Sequence, residues 1–107
     1  MPSRVLVLDS VSQYQTLISH NRAVVVDCSA KWCGPCKQIA PKYDEMSSEY
    51  ESIVFTKIDV DDAEELAQLL QVESMPTFIF VKNGDIFSRF SGANIKELRR
   101  HLDGINN

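Results

Sequence analysis

The sequence predicts an α/β fold: a mixed five-stranded sheet flanked by four helices, in the order βαβαβαββα, with residues 1–107 forming a single domain. Three observations predict it. "AVVVDCS" at residues 23–29 is a nearly continuous apolar, β-branched run, as expected of a central strand covered on both faces. Strand-like runs then alternate with helical patterns, which implies parallel strands joined by right-handed crossovers. Finally, Asn83-Gly84 stands between two further strand patterns, a strong signal for a tight hairpin and hence for antiparallel strands at the end of the sheet.

Taken in order, residues 4–8 read as the first strand. Ser10 opens a helix, with Gln13 three residues on in the capping-box position and Val11, Tyr14, Leu17 and Ile18 on its inner face. After the central strand, a helix over residues 34–50 carries Ile39, Tyr43, Met46 and Tyr50 at helical spacing. Pro41 inside that pattern removes one backbone hydrogen bond and predicts a kink. Residues 53–59 form the next strand. Asp61 or Asp62 is expected to cap a short helix ending at Leu70, with Ala63, Leu66, Ala67 and Leu70 inside. Residues 77–81 and 85–91 are the hairpin strands. Asn94 caps the last helix, Glu97 completing its capping box. Ile95, Leu98, Leu102 and Ile105 face inward, while Lys96, Arg99, Arg100 and His101 lie toward its C-terminal half, where cations suit the helix dipole.

Composition narrows the function. Apolar residues make up 44% and charged residues 24%, as in an ordinary globular protein. A formal net charge of −4 gives no reason to expect nucleic acid or an anionic membrane as partner. The apolar runs are far too short to span a bilayer, and "MPSRVLVLDS" lacks the apolar core and cleavage site of a secretory signal. A reducing, cytoplasmic setting is expected. A stabilising disulfide does not persist there, so closely spaced cysteines point to redox chemistry or to metal.

"WCGPC" at residues 32–36 is the test of that choice. Cys33 stands at the start of the second helix, where unpaired backbone N–H groups and the dipole favour a thiolate and lower its pKa. Cys36 lies one turn on, on the same side, within the Cα separation that a disulfide accepts. Pro35 suits a first helical turn, and Gly34 leaves the Cys33 sulfur unshielded. The pair can therefore attack a foreign disulfide through Cys33 and resolve the mixed disulfide through Cys36. A structural zinc site needs two more ligands. Only Cys28, in the strand core, and His20 and His101, each alone at a helix end, are at hand. The acidic run Asp59, Asp61, Asp62, Glu64 and Glu65 lacks the spacing and glycine of a calcium loop and reads as a solvated helix start.

Asp27, in the middle of the central strand, has two readings. It is either a buried polar group satisfied by hydrogen bonds, or an acid whose pKa burial raises until it can take a proton from Cys36.

"VVVDCSAKWCGPCKQIAP", followed by "SMPTFIFVKNG" and "FSGAN", resembles the thioredoxin family along essentially the whole chain. The resemblance implies the thioredoxin fold and a general protein-disulfide reductase that binds no cofactor or metal itself and acts as a monomer. Electrons would come from NADPH through thioredoxin reductase. Substrates would be protein disulfides such as those of peroxiredoxin, methionine sulfoxide reductase or ribonucleotide reductase, with no nucleic-acid or membrane partner. Gly34-Pro35 between the cysteines favours a reductant over an isomerase. Asp27 matches the family's buried aspartate, and Lys57 the lysine near it, although a solvated strand lysine reads equally well there. Pro76 matches the family's cis-proline, leaving the Met75 backbone free to pair with an extended substrate. Trp32, Val60, Met75, Gly92 and Ala93 would form the apolar rim, Gly92 because a side chain would obstruct a partner's backbone. The chain departs from the family at Cys28, usually an aromatic position, and at Ser29; Cys28 is expected to be an inert buried thiol. Ser74 stands where some animal relatives carry an additional cysteine. A redox-independent binding subunit is the competing function.

Overall fold

A computed structural model of the protein describes residues 3–107. Its elements are β1 (Leu6–Val7), α1 (Val11–His20), β2 (Ala23–Ser29), α2 (Gly34–Glu49), β3 (Val54–Asp59), α3 (Glu64–Leu69), β4 (Thr77–Lys82), β5 (Asp85–Ser91) and α4 (Ile95–Asn106). The order is the expected one. The five strands form one mixed sheet, β1-β3-β2-β4-β5, in which β1, β3 and β2 are parallel and β4 and β5 run antiparallel to their neighbours.

β2 is buried at every residue, as its unbroken apolar run predicts. Successive side chains alternate across the sheet, so Ala23 and Val25 join the core under α2 and α4, while Val24, Val26 and Cys28 join the core under α1 and α3. Asp27 therefore faces α2. The first core holds a ring cluster in which Tyr43 of α2 packs on Phe55 and Phe78. The Tyr43 hydroxyl donates to the Thr56 carbonyl at 2.5 Å, and the Thr56 hydroxyl donates to the Val25 carbonyl at 2.8 Å. Replacing Tyr43 by phenylalanine leaves that buried carbonyl short of a donor and is expected to cost about 1–2 kcal/mol of stability in urea unfolding.

The hairpin is built as read: Asn83 and Gly84 both have positive φ, 54° and 83°, the geometry of the tight turns that asparagine and glycine favour. Ser10 and Asn94 cap their helices through the N–H groups of Gln13 and Glu97. The Glu97 carboxylate does not complete the second box, because it is held by Arg100 at 2.8 Å.

Other local expectations are corrected. β1 is only Leu6–Val7; before it the Arg4 N–H turns to the Ser47 hydroxyl at 3.0 Å. Neither Asp61 nor Asp62 caps α3. The Asp59 carboxylate accepts from both of their N–H groups, at 2.9 and 3.3 Å, and this turn delays the helix until Ala63 serves as a cap without a side-chain bond. Ile95, expected inside, is 42% exposed, because the first turn of α4 projects beyond the sheet core that Leu98, Leu102 and Ile105 fill. α2 holds Pro41 inside it, as expected, and ends one residue before Tyr50.

Candidate active site

The reactive turn is delivered by β2. The Cys33 N–H donates to the Ala30 carbonyl at 3.2 Å, and Cys33 then caps α2 with an extended backbone, its carbonyl accepting from Lys37 N–H at 3.3 Å. The Cys33 Sγ accepts from the Cys36 N–H at 3.2 Å, so the sulfur itself occupies the capping position at the positive end of the helix. Pro35 sits in the first turn, where it forfeits no helical hydrogen bond. The Cα atoms of Cys33 and Cys36 lie 5.3 Å apart and their sulfurs are joined as a disulfide. A Cβ at Gly34 would meet nothing within 4 Å, so the space beside the pair is open. The pair itself is less open than the sequence suggests. Each cysteine is only 5% exposed, packed with Ala30, Val60 and Met75, and the expected exposed nucleophile is covered in the bridged form.

Around the pair, Trp32 is 66% exposed and does not lie loose, for its indole N–H donates to Asp61 Oδ2 at 2.9 Å. The Met75–Pro76 peptide bond is cis. The Pro76 carbonyl accepts from the Gly92 N–H at 2.9 Å, and the Thr77 hydroxyl ties this turn to the Ser74 carbonyl and to Ser91 Oγ. Gly92 has a φ of 110°, which gives it a backbone reason to be glycine besides clearance, and Ala93 follows it on the exposed side. Asp61→Ala releases the indole of the only tryptophan in the chain. The expected result is increased mobility in tryptophan fluorescence anisotropy, as expected from losing one hydrogen bond of about 0.5–1 kcal/mol.

Beneath the pair, Asp27 is 3% exposed, and its Oδ1 is buried without a hydrogen-bond partner. Burial pushes its pKa from 3.8 to about 7; the Lys57 ammonium on β3 pulls it down, and the Asp44 carboxylate pushes it further up. Asp27 and Lys57 are direct register partners, so their side chains leave the same face of the sheet. Both line a cleft of about 280 Å³ that also reaches Cys36, Lys37 and Ala40, with Asp59 and the exposed Lys31–Asp62 ion pair at 3.7 Å along its walls. Of the two readings of Asp27, the orphaned carboxyl oxygen favours the acid held near neutrality over the satisfied polar group.

Three contributors had no signal pointing to them. Asp61 and Asp59 were legible only as part of an acidic helix start, yet one fixes Trp32 and the other shapes the cleft and the turn before α3. Asp44, one turn beyond Pro41 on α2, acts on Asp27 across space that no sequence pattern reveals. Cys28 is fully buried, and burial together with the neighbouring Asp27 pushes its thiol up to about 12, which makes it an inert side chain. Among the described residues, no group of three or more His, Cys, Asp or Glu is gathered to hold a metal ion, and no helix is long and apolar enough to cross a membrane.

Comparison with known proteins gives one answer. The family model described as Thioredoxin matches residues 5–104. Thioredoxin 1 of Plasmodium falciparum is 41% identical over 92% of this chain and 95% of its own length. Thioredoxin of Ovis aries is 49% identical over 78% of this chain and 80% of its own. A solved yeast structure, concerned with the thiol resolving mechanism of a mitochondrial 1-Cys peroxiredoxin via glutathione and thioredoxin systems, superposes with a TM-score of 0.92 at 31% identity, covering 95% of this chain and 98% of the other.

Proposed function

The chain belongs to the thioredoxin family, and from that premise we propose how each residue of the site serves the protein-disulfide reduction that the Cys33–Cys36 pair performs. In the reduced form, Cys33 at the head of α2 is the thiolate, stabilised by the Cys36 N–H and the helix dipole. It attacks one sulfur of the substrate disulfide; that bond breaks, and the first substrate thiolate leaves. Cys36 gives its proton to Asp27, attacks Cys33 Sγ and displaces the second substrate thiolate. Two electrons have then passed to the substrate, and the bridge seen here is the product.

Gly34 and Pro35 set the geometry of the turn, and Lys57 offsets part of the rise that burial imposes on the Asp27 pKa. Trp32, Val60, Met75, Gly92 and Ala93 receive the substrate, whose extended backbone pairs beside the Met75–Pro76 turn. NADPH-dependent thioredoxin reductase returns the bridge to the dithiol. Protein disulfides of the peroxiredoxin, methionine sulfoxide reductase and ribonucleotide reductase types are the substrates, and the cytoplasm is the setting for this single domain acting as a monomer. The observation that carries this reading is a bridged cysteine pair on a helix N-terminus with a half-neutral carboxyl lining the same cleft.

Insulin reduction with thioredoxin reductase and NADPH tests it, with turnover expected for the unaltered protein. A binding subunit would instead support its partner enzyme unchanged when Cys33→Ser and Cys36→Ser are combined.

A further inference from the structure

Besides the cleft below the cysteines, an open groove of about 820 Å³ lies beside them. It starts at the reactive pair, since Val60 both lines it and packs against the disulfide. Ala67 and Val72 give it apolar wall, and Glu64 of α3 and Glu73 of the loop before β4 bring carboxylates to it. Both glutamates are exposed, and neither has a hydrogen-bond or ion-pair partner among the described residues. The cation in the groove, Arg89, is already engaged: its Nη1 and Nη2 donate to the carbonyls of Leu70 and Gln71 at 2.7 and 3.2 Å. Asp61 and Asp62 differ in this respect, because Asp61 holds Trp32 and Asp62 holds Lys31.

We propose that this groove selects among protein disulfides by taking a lysine or arginine of the substrate, a few residues from its reactive cysteine, between Glu64 and Glu73. The inference rests on the disulfide-reductase reading and adds a specificity to it. A substrate chain bonded to Cys33 and running past Val60 enters the groove directly. There the aliphatic stem of a long basic side chain lies along Ala67 and Val72 while its charge meets the carboxylates. An acidic side chain in the same place meets the like charge of Glu64 and Glu73, so the groove also discriminates against the wrong sequence.

The test uses three disulfide-linked peptide dimers that differ only in having Lys-Lys, Ser-Ser or Glu-Glu beside the cysteine. Each rate is normalised to reduction by dithiothreitol, which removes differences in intrinsic disulfide reactivity. The unaltered protein is expected to reduce the lysine peptide with a kcat/KM roughly three- to tenfold above the serine peptide, the range of two exposed charge pairs. Glu64→Gln combined with Glu73→Gln is expected to remove that preference while leaving the serine peptide's rate unchanged. Removing two charges elsewhere, by Glu51→Gln with Asp85→Asn at the opposite end of the sheet, is expected to preserve it.

Equal normalised rates for the three peptides overturn the proposal. So does a preference that survives the groove variant, or one that the distant variant abolishes, which assigns it to net charge. Failure to reduce any peptide, or insulin, overturns the reductase reading instead, so the two failures are distinguishable.

Discussion

Cys33→Ser is expected to abolish disulfide reduction, lowering turnover by at least about 10³-fold, because no other sulfur can begin the exchange. Cys28 is too deeply buried and too weakly acidic to substitute for it. Cys36→Ser is expected to lose turnover equally but to fail at a different step. Cys33 still attacks, and the protein accumulates as a covalent adduct with its substrate, visible on non-reducing gels and dispersed by added dithiothreitol. The contrast is the diagnostic feature. Adducts in the first variant and none in the second would reverse the assigned roles, and undiminished turnover in either would remove the pair from the mechanism.

The second large effect belongs to Asp27, and it has opposite signs for rate and stability. In the folded protein the carboxyl titrates near 7, against 3.8 for the ordinary group. Between these values the folded state holds a proton that the unfolded state has released, so stability falls as pH rises from about 4 through about 7. The gap corresponds to roughly 4 kcal/mol at most above pH 8, where the buried carboxylate is fully charged. Asp27→Asn is therefore expected to raise stability by a few kcal/mol at pH 8 and to leave it nearly unchanged near pH 4, as measured by urea unfolding across pH.

The same substitution removes the group that accepts the Cys36 proton. Resolution of the mixed disulfide is expected to slow by roughly 10- to 100-fold at pH 7–8. The two proteins converge below pH 6, where Asp27 is itself protonated and cannot accept. Single-turnover kinetics of adduct decay measure this, and equal rates from pH 6 to 9 would exclude a proton-transfer role.

Much of this arrangement was legible in the sequence because its causes are local. The unbroken run of β2 requires burial on both faces, Asn83-Gly84 supplies the positive φ values of a tight turn, and helical spacing placed Ile39, Tyr43 and Met46 on one side of α2. The cysteine spacing and the first-turn proline likewise encode their own geometry. What escaped depends on groups brought together from a distance. The delayed start of α3 follows from a side-chain bond at Asp59 that competes with helix capping, and both outcomes use the same residue types. The covering of the cysteines depends on Val60 and Met75 arriving from two other loops. Ile95 fits the periodicity of α4, but periodicity does not show where the sheet beneath a helix ends. The tether from Trp32 to Asp61 joins residues 29 positions apart, and the cis geometry at Pro76 was legible only through family resemblance.

β2 is hydrogen-bonded on both edges and sealed on both faces, and it alone leads into the reactive turn. Its amides should exchange with deuterated solvent only when the whole molecule opens, whereas those of residues 71–75 and 92–94 should exchange through local fluctuations. Chemistry and recognition thus occupy separate cooperative units. The loops that choose clients can drift during evolution with little effect on the sulfur exchange, and one reducing engine can be fitted to many different customers.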